Sequence, residues 1–403
     1  MTPSSWTLRL LLFKMTVTGD SPVVKKHSRY RKKFLKSLSE EERHLRSRKI
    51  PRASLLTLDM SPWRTLLDSN VDQSLITMTG FDGASFASLL QKFAPLFDEY
   101  TPFNTSHILL KQDPSKGGRP RKVRPEDCLG LVLVWTRTRG SLTALQLVFG
   151  MTFSNLCMYL RFGRRVIVEA LKSDPLAKIA IPSNEEIASY KEAVGVIYPL
   201  LSDVWSTMDG LKLYLQQSGN TEIQARFYNG WTHGHYVTSV FVFCPDGTIP
   251  IAFFNVPGSV HDSQVAHWGK VYDKFEAVYD ETGGKCTVDS AFGKVNKPFL
   301  IKSSQDYLVS TMPTREEQRL DLQRKRQATS MRQAAEWGMR AIQSSFPRLK
   351  DTFVYEDTGE RRILMKMLCL LYNLRARSVG INQIKNVFMK QLDEDANNEF
   401  GMM

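Results

Sequence analysis

The sequence predicts an α/β protein in which a helical region precedes a β-rich region. Two observations carry this prediction. From residue 204 onward, short runs of β-branched and aromatic residues alternate with turn signals, as the strands of a sheet do. Before them, segments between residues 127 and 171 are bounded by capping residues and glycine, as helices are. A third segment, Arg315–Phe346, is charged and free of glycine until Gly338, which predicts a long helix, with a break allowed, after the strands.

Length and charge indicate the kind of partner. The chain has 403 residues, with 54 lysines and arginines against 41 acidic residues, a net charge of +13. This length suffices for two or three domains, and the excess of positive charge favours a polyanionic partner. Five dispersed cysteines, none in a C-x-x-C pair, indicate a reducing compartment and argue against a disulfide framework or a cysteine zinc site. We therefore expect an intracellular protein without a membrane association.

We expect residues 1–110 to form a basic, partly disordered N-terminal region. Twelve bases against three glutamates lie between Lys25 and Arg52. Such a segment can bind the DNA backbone, because each neutralised phosphate releases counterions, or can act as a nuclear address. A solvated tail is the alternative. A DNA-binding arm or a nuclear address predicts a nuclear protein.

Residues 111–200 predict a helical, DNA-binding region. Its entrance, Lys111–Pro125, is rich in glycine, proline and bases, as a flexible linker is. The string Gly-Arg-Pro-Arg within it resembles arms that enter the minor groove. Candidate DNA-binding residues here are Arg119, Arg121 and Lys122.

Three helices are expected after this linker, at Asp127–Thr138, Leu142–Phe149 and Phe153–Leu171. Ser141 and Thr152 are expected to cap the second and third, and Gly150 to end the second. Short helices joined by a glycine turn, the last one basic, predict a helix-turn-helix-like arrangement. The DNA-binding candidates on the third helix are Arg161, Arg164 and Arg165. A plain helical bundle that packs on its neighbour is the open alternative.

The β-rich region contains two strands that end at an aspartate. We predict one strand that ends at Asp209, a hairpin around Pro245-Asp246-Gly247, a short strand that ends at Asp289, one further strand and a final apolar helix. The predicted ranges are Val204–Met208, His235–Cys244, Ile249–Asn255, Lys285–Val288, Tyr307–Ser310 and Ile363–Arg377. Residues 381–403 are expected to form a loose tail.

Three acidic residues are candidate metal ligands. Asp209 and Asp289 follow predicted strands, and Glu336 lies in the long charged helix. Carboxylates at one edge of a sheet can converge, and a helix packed there can add a third. Hard oxygen ligands of this kind suit Mg²⁺ or Mn²⁺, and a pair of such ions can clamp the attacking and leaving oxygens of a phosphodiester. For a single aspartate, a turn or a helix cap is the plainer interpretation.

Residues 200–375 resemble the catalytic domain of PIF/Harbinger-type DDE transposases, which include the Harbinger-derived nucleases. The most specific match is Pro257–Ser263, which reads P-G-S-V-H-D-S. The other matches are Met208-Asp209-Gly210, Asp289-Ser290-Ala291-Phe292, Glu336-Trp337-Gly338 with Phe346, and the C-terminal string Leu368–Arg375.

The resemblance implies an RNase H-like fold over residues 201–380, with a mixed five-stranded sheet flanked by helices. It also implies that Asp209, Asp289 and Glu336 are catalytic and hold two Mg²⁺ or Mn²⁺ ions. Asp262 matches a further acid that contacts metal or positions the site. Its alternative role is the N-cap of the following helix, with His261 as an ordinary surface or core residue.

The activity expected from this resemblance is DNA cutting at terminal inverted repeats and joining to a target site. Double-stranded DNA is the implied partner, a separate Myb-like protein the implied helper, and a homo-oligomer on DNA the expected assembly. The bases Arg324–Gln327 and Arg332, on the helix of Glu336, can bind phosphates or form a solvated helix face. Two rival functions remain, a domesticated DNA- or chromatin-binding protein and a structure-selective nuclease unrelated to transposition.

Overall fold

The structure is a computed structural model that describes residues 50–103, 108–113, 120–139, 141–292, 297–303, 312–355 and 358–389. From residue 52 onward the chain forms one compact unit. Three predicted features lie outside the described residues. They are the basic segment as far as Lys49, the candidate Arg119 and the strand expected at Tyr307–Ser310.

Three helices precede the linker, where the sequence analysis assigned none. They are α1 (Pro62–Ser69), α2 (Asp72–Thr79) and α3 (Gly83–Glu99). The side chain of Ser61 accepts a hydrogen bond from the backbone N–H of Arg64, and Pro62 occupies the first helical position. Asp82 caps α3 in the same way, since its Oδ1 lies 2.7 Å from the N–H of Ser85. Caps of this kind satisfy N–H groups that the first turn leaves unpaired.

The next three helices lie where the sequence predicts helices. They are α4 (Pro125–Arg137), α5 (Leu142–Phe149) and α6 (Phe153–Leu171). Ser141 caps α5, with its hydroxyl 3.1 Å from the N–H of Thr143, and Gly150 ends that helix at φ 59°, a left-handed conformation that glycine adopts without strain. Thr152 stands at the N-cap of α6 but its side chain makes no capping hydrogen bond.

None of the described helices is by itself long and apolar enough to cross a membrane. Helices α5 and α6 reach that length and apolarity only when taken together, and they meet at 94°.

The second half of the chain contains a mixed sheet, as predicted. The elements of this half are α7 (Asn184–Ile197), β1 (Val204–Tyr214), α8 (Thr221–Phe227), β2 (Tyr228–Asn229), β3 (Gly234–Phe243), β4 (Ile251–Pro257), α9 (Asp262–Trp268), α10 (Val271–Thr282), β5 (Lys285–Val288), β6 (Leu300–Lys302), α11 (Arg315–Ser345) and α12 (Thr358–Ser378). The order is β2-β3-β1-β5-β6, and β4 pairs with β3 as well. Strand β3 is antiparallel to its three partners, whereas β1, β5 and β6 are parallel.

Two details of the sheet differ from the prediction. Strand β1 does not end at Asp209 but continues to Tyr214, because residues 210–214 go on pairing with β3. Within the described residues the sheet also has a sixth strand, the two-residue β2, beside the five longer ones. Asp209 therefore lies near the middle of a long strand, and β5 alone ends at an acid, Asp289.

The sheet separates two apolar cores. Along β1, Leu211 and Leu213 belong to the core that also contains buried residues of α1, α3, α4, α6, α11 and α12. Met208 and Trp205 belong to the other core, with residues of α7, α9 and α10. Because successive side chains of a strand face opposite sides, Asp209 faces the same side as Leu211. The helical half and one face of the sheet thus share a single core.

Helix α11 runs over 31 residues without interruption, about 45 Å at 1.5 Å per residue. Thr314 and Glu317 form a capping box at its start, each side chain accepting from the other's backbone N–H at 3.2 Å. The helix packs on β1 and β3. A Cβ at Gly338 would stand 2.6 Å from the ring of Phe243, so this glycine allows the close approach.

The C-terminal helix α12 is tied to the hairpin through one side chain. Asn373 accepts from the N–H of Ile249 at 2.7 Å and donates to its carbonyl at 3.0 Å and to that of Lys178 at 3.2 Å. Residues 383–389 are helical and bury Ile384 and Phe388. The first part of the expected loose tail is thus packed, and its remainder lies outside the described residues.

Candidate active site

Asp209 and Asp289 are brought together by strand register. Strands β1 and β5 are parallel neighbours, and Met208 is paired with Val288. The two aspartates are the next residues along these strands, so they lie side by side at the carboxyl end of β5. Each carboxylate accepts a hydrogen bond from the following backbone N–H at 2.7 Å, from Gly210 and Ser290 respectively. The structure thus brings these two predicted site residues together.

The carboxyl of Asp209 lies in a poorly solvated, acidic environment. Its pKa is raised from 3.8 to about 6, chiefly by burial and also by the nearby Asp289 and Asp262, although the N–H of Gly210 and the guanidinium of Arg332 oppose the rise. A buried carboxylate beside two like charges favours either a proton or a cation. This is the electrostatic condition of a cation site.

Asp262 approaches β1 from the other side. A Cβ at Gly210 would stand 2.9 Å from Oδ2 of Asp262, and Gly210 faces away from Asp209 along the strand. Burial raises the pKa of Asp262; Lys212 and His261 lower it, and Asp289 raises it. The carboxylate therefore borders the acid pair without lying on its face of the sheet.

The proposed cap at this position belongs to a different residue. Helix α9 begins at Asp262, and its N-cap is His261, whose Nδ1 accepts from the N–H of Ser263 at 3.4 Å. The N-cap interpretation of Asp262 was therefore wrong by one residue. Its carboxyl is directed to the strand instead.

Glu336 reaches the acid pair through an arginine. Arg332, one turn earlier on α11, donates from Nη2 to Oε1 of Glu336 at 2.7 Å. Its Nη1 lies 3.9 Å from Oδ2 of Asp209. The guanidinium thus bridges the carboxylates of helix and strand. From the sequence alone, Arg332 is predicted only to bind phosphate or to be solvated.

The acids suit a divalent metal by chemistry but are not assembled around one. Their oxygens are the hard ligands that Mg²⁺ and Mn²⁺ take, and burial together with the neighbouring acids raises the pKa of Asp209. Among the described residues, however, no three histidine, cysteine, aspartate or glutamate side chains lie close enough together to hold a metal ion. In this arrangement a side-chain cation, Arg332, supplies part of the missing charge.

Three of the expected DNA-binding residues are held inside the protein. Arg164 and Arg165 both donate to the buried carboxylate of Glu360 on α12, and Arg164 also lies 5.1 Å from the ring of Trp135. Arg121 donates to the carbonyls of Phe97 and Tyr100. These contacts favour the helical-bundle interpretation of this region.

Two further candidates remain accessible. Lys122 is exposed, and the side chain of Arg161 is 44% exposed, with its Nε 3.9 Å from Oε1 of Glu360. Two bases of the string Arg324–Gln327 on α11 form salt bridges with acids of the protein. Arg324 pairs with Asp203 at 2.7 Å, and Lys325 with Asp321 at 2.9 Å.

The acid cluster lies within a segment that resembles a known family. Residues 208–373 match the family model of the DDE superfamily endonucleases. The matched range begins one residue before Asp209, contains the other three acids and ends at Asn373. No curated protein and no solved structure matches the chain. Over this range the chain is therefore similar to a DDE superfamily endonuclease domain.

Proposed function

We propose that the chain is a metal-dependent DNA nuclease of the transposase type, with Asp209, Asp289 and Glu336 as its catalytic acids. The single observation that carries this proposal is the pairing of Met208 with Val288 on parallel strands, which places Asp209 beside Asp289. Support comes from the DDE endonuclease match over the same residues. We also propose that the chain is of the PIF/Harbinger subtype and has an RNase H-like fold. The five longer strands of that fold would lie in the order β4-β3-β1-β5-β6.

The residues that would hold two Mg²⁺ or Mn²⁺ ions are the three acids, with Asp262 beside them. Bound there, such ions would lower the pKa of an attacking water and stabilise the charge on both oxygens of an in-line displacement. Strand pairing up to Met208 and Val288 fixes the backbone positions from which Asp209 and Asp289 project. Helix α11 presents Glu336 from a rigid element that packs on β1.

DNA would be held mostly through phosphates. We propose this role for Lys122 and Arg161, whose side chains are accessible. Arg119 and the basic N-terminal segment are proposed for it from the sequence alone, since they lie outside the described residues. We assign Arg121, Arg164 and Arg165 to structural support, because their guanidinium groups are engaged inside the fold. The proposal further includes terminal inverted repeats as the substrate and joining of the cut ends to a target site. It also includes a Myb-like helper protein, a homo-oligomer on DNA and a nuclear location.

The test is cleavage of a duplex that carries candidate terminal repeats by the purified chain with Mn²⁺. We expect cutting that disappears in Asp289→Ala and persists in Asp280→Ala, an acid of α10 outside the cluster. Strand joining to a second duplex would assign transposition, and cutting without joining would assign a structure-selective nuclease. Equal cutting by the wild type and Asp289→Ala would reject the proposed centre.

The rival function is DNA or chromatin binding without cutting, as in a domesticated transposase. The observation that favours it is the bridging arginine, since no three acids are assembled for a metal in the described part of the chain. Retained duplex binding with no cutting at any Mn²⁺ concentration would support the rival.

A further inference from the structure

We propose that Arg332 is an internal competitor of the divalent ion, a guanidinium that must leave the acid cluster before Glu336 can share a metal with Asp209. The inference rests on the proposed function of this site. It extends that function by naming the side chain that competes with a metal ion for Asp209 and Glu336.

The geometry of Arg332 is that of a bridge between two elements. Its two terminal nitrogens point to different carboxylates, Nη2 to Glu336 at 2.7 Å and Nη1 to Asp209 at 3.9 Å. In an ordinary arginine–glutamate pair within one helix, the guanidinium contacts only the carboxylate on the neighbouring turn of that helix. Here the planar fork, with its fixed directions, also spans from α11 to β1, and Arg332 is only 22% exposed.

Local helix energetics do not account for this placement. Pairs four residues apart contribute only a few tenths of a kcal/mol, and the order with the acid first is the better one, whereas here the base comes first. The cluster itself supplies the reason. Asp209, Asp289 and Asp262 act on one another electrostatically, and a cation next to them relieves that repulsion.

The same position excludes a metal. A divalent ion shared by Asp209 and Glu336 has to contact oxygens of both residues at about 2.0–2.2 Å. The guanidinium of Arg332 now occupies the path between those two carboxylates. Metal and arginine are therefore alternative occupants of one site, and each lowers the occupancy of the other.

Helix α11 offers a matched control. Arg324 lies on the same helix, pairs with Asp203 at 2.7 Å and is 39% exposed. Asp203 is also paired with Lys285 at 2.9 Å, apart from the four acids of the cluster. Arg324→Gln removes the same charge from the same helix and leaves the bridge in place.

The experiment is a titration of the full chain with Mn²⁺ in the absence of DNA. Binding is measured through the electron paramagnetic resonance signal of free Mn²⁺. We expect Arg332→Gln to bind Mn²⁺ at least tenfold more tightly than the wild type, and Arg324→Gln to stay within twofold of it. Thermal unfolding in EDTA and in saturating Mn²⁺ gives a second measurement. Mn²⁺ should raise the melting temperature of Arg332→Gln more than that of the wild type.

Unchanged or weaker Mn²⁺ affinity in Arg332→Gln would overturn the inference. If that variant does not fold, Arg332→Met, which keeps the aliphatic stem, replaces it in the same comparison. The two proposals fail in different ways. Mn²⁺-dependent cutting with equal affinities rejects only the role of Arg332, whereas absence of Mn²⁺ binding in every variant, with no cutting, rejects the nuclease itself.

Discussion

The carboxylate of Asp262 lies against the backbone of Gly210, so close that a Cβ at residue 210 would stand 2.9 Å from Oδ2. A contact this short requires one of the two groups to move. Glycine at this strand position is therefore explained by the acid that packs on it, and the pair gives the first of four predictions.

Gly210→Ala should destabilise the wild type by about 1–2 kcal/mol through overpacking. In an Asp262→Ala background the same change should be neutral or stabilising, because alanine loses less conformational freedom than glycine in a strand. Urea unfolding of the four proteins measures the coupling. Additive effects would show that the carboxylate does not restrict residue 210.

Asp209→Asn should stabilise the metal-free protein at neutral pH. The acid has a pKa of about 6 in the fold against an ordinary value of 3.8, so the folded state holds its proton more tightly. Stability is therefore lost as pH rises from about 4 to 6, by on the order of 2 to 3 kcal/mol. Loss of the 3.9 Å contact with Arg332 offsets part of the gain. Urea unfolding in EDTA at pH 4 and pH 7 measures the difference.

Asp203→Asn is the control of opposite sign. Burial alone raises its pKa, but Lys285 and Arg324 reverse the shift and hold the pKa below the ordinary value. Its stabilising contribution is present above that ordinary value and is lost as the carboxyl protonates at lower pH. The asparagine variant should therefore be less stable than the wild type at pH 7. The same sign for both variants would contradict the assigned environments.

Gly338→Ala should cost about 1–3 kcal/mol, although alanine favours helix by about 1 kcal/mol. The added methyl would stand 2.6 Å from the fully buried ring of Phe243. Gly219→Ala meets nothing within 4 Å and serves as the control. Thermal unfolding compares the two. A melting temperature of Gly338→Ala equal to or above that of the wild type would mean that α11 does not depend on this close approach.

Arg165→Ala should destabilise by about 3 kcal/mol, because it removes a buried partner of Glu360. Arg161→Ala, exposed and 3.9 Å from the same carboxylate, should change stability by less than about 0.5 kcal/mol. Its effect should appear in DNA binding, as weaker affinity and a shallower salt dependence. If Arg161→Ala unfolds the protein and Arg165→Ala only weakens DNA binding, the roles are reversed.

The sequence predicted the proximity of Asp209 and Asp289, but not the exact extent of the strand that carries Asp209. The short strand before Asp289 was correct because β-branched residues cluster there and the strand ends with them. Strand β1 was cut short at Asp209 because aspartate and glycine are poor strand residues. Pairing with β3 carries the strand through both. Tertiary pairing of this kind leaves no local signal.

The arginines of α6 show the same limit. Arg164 and Arg165 look like a basic face for DNA when only their helix is considered. Their partner, Glu360, lies almost 200 residues further along the chain, so no spacing rule connects them. The sequence shows that Arg332 lies one helical turn before Glu336, but its contact with Asp209 depends on how α11 packs on the sheet.

The side-chain amide of Asn373 serves the hairpin as a neighbouring strand would, one donor and one acceptor for Ile249. During ribosomal synthesis, which runs from the N-terminus, this backbone amide and carbonyl emerge more than a hundred residues before that partner. Until residue 373 emerges, they lack the side-chain partner that they have in the fold. A nascent chain released before residue 373 therefore lacks the hydrogen bonds that Asn373 makes to the backbone of Ile249, so early termination favours misfolding of the hairpin.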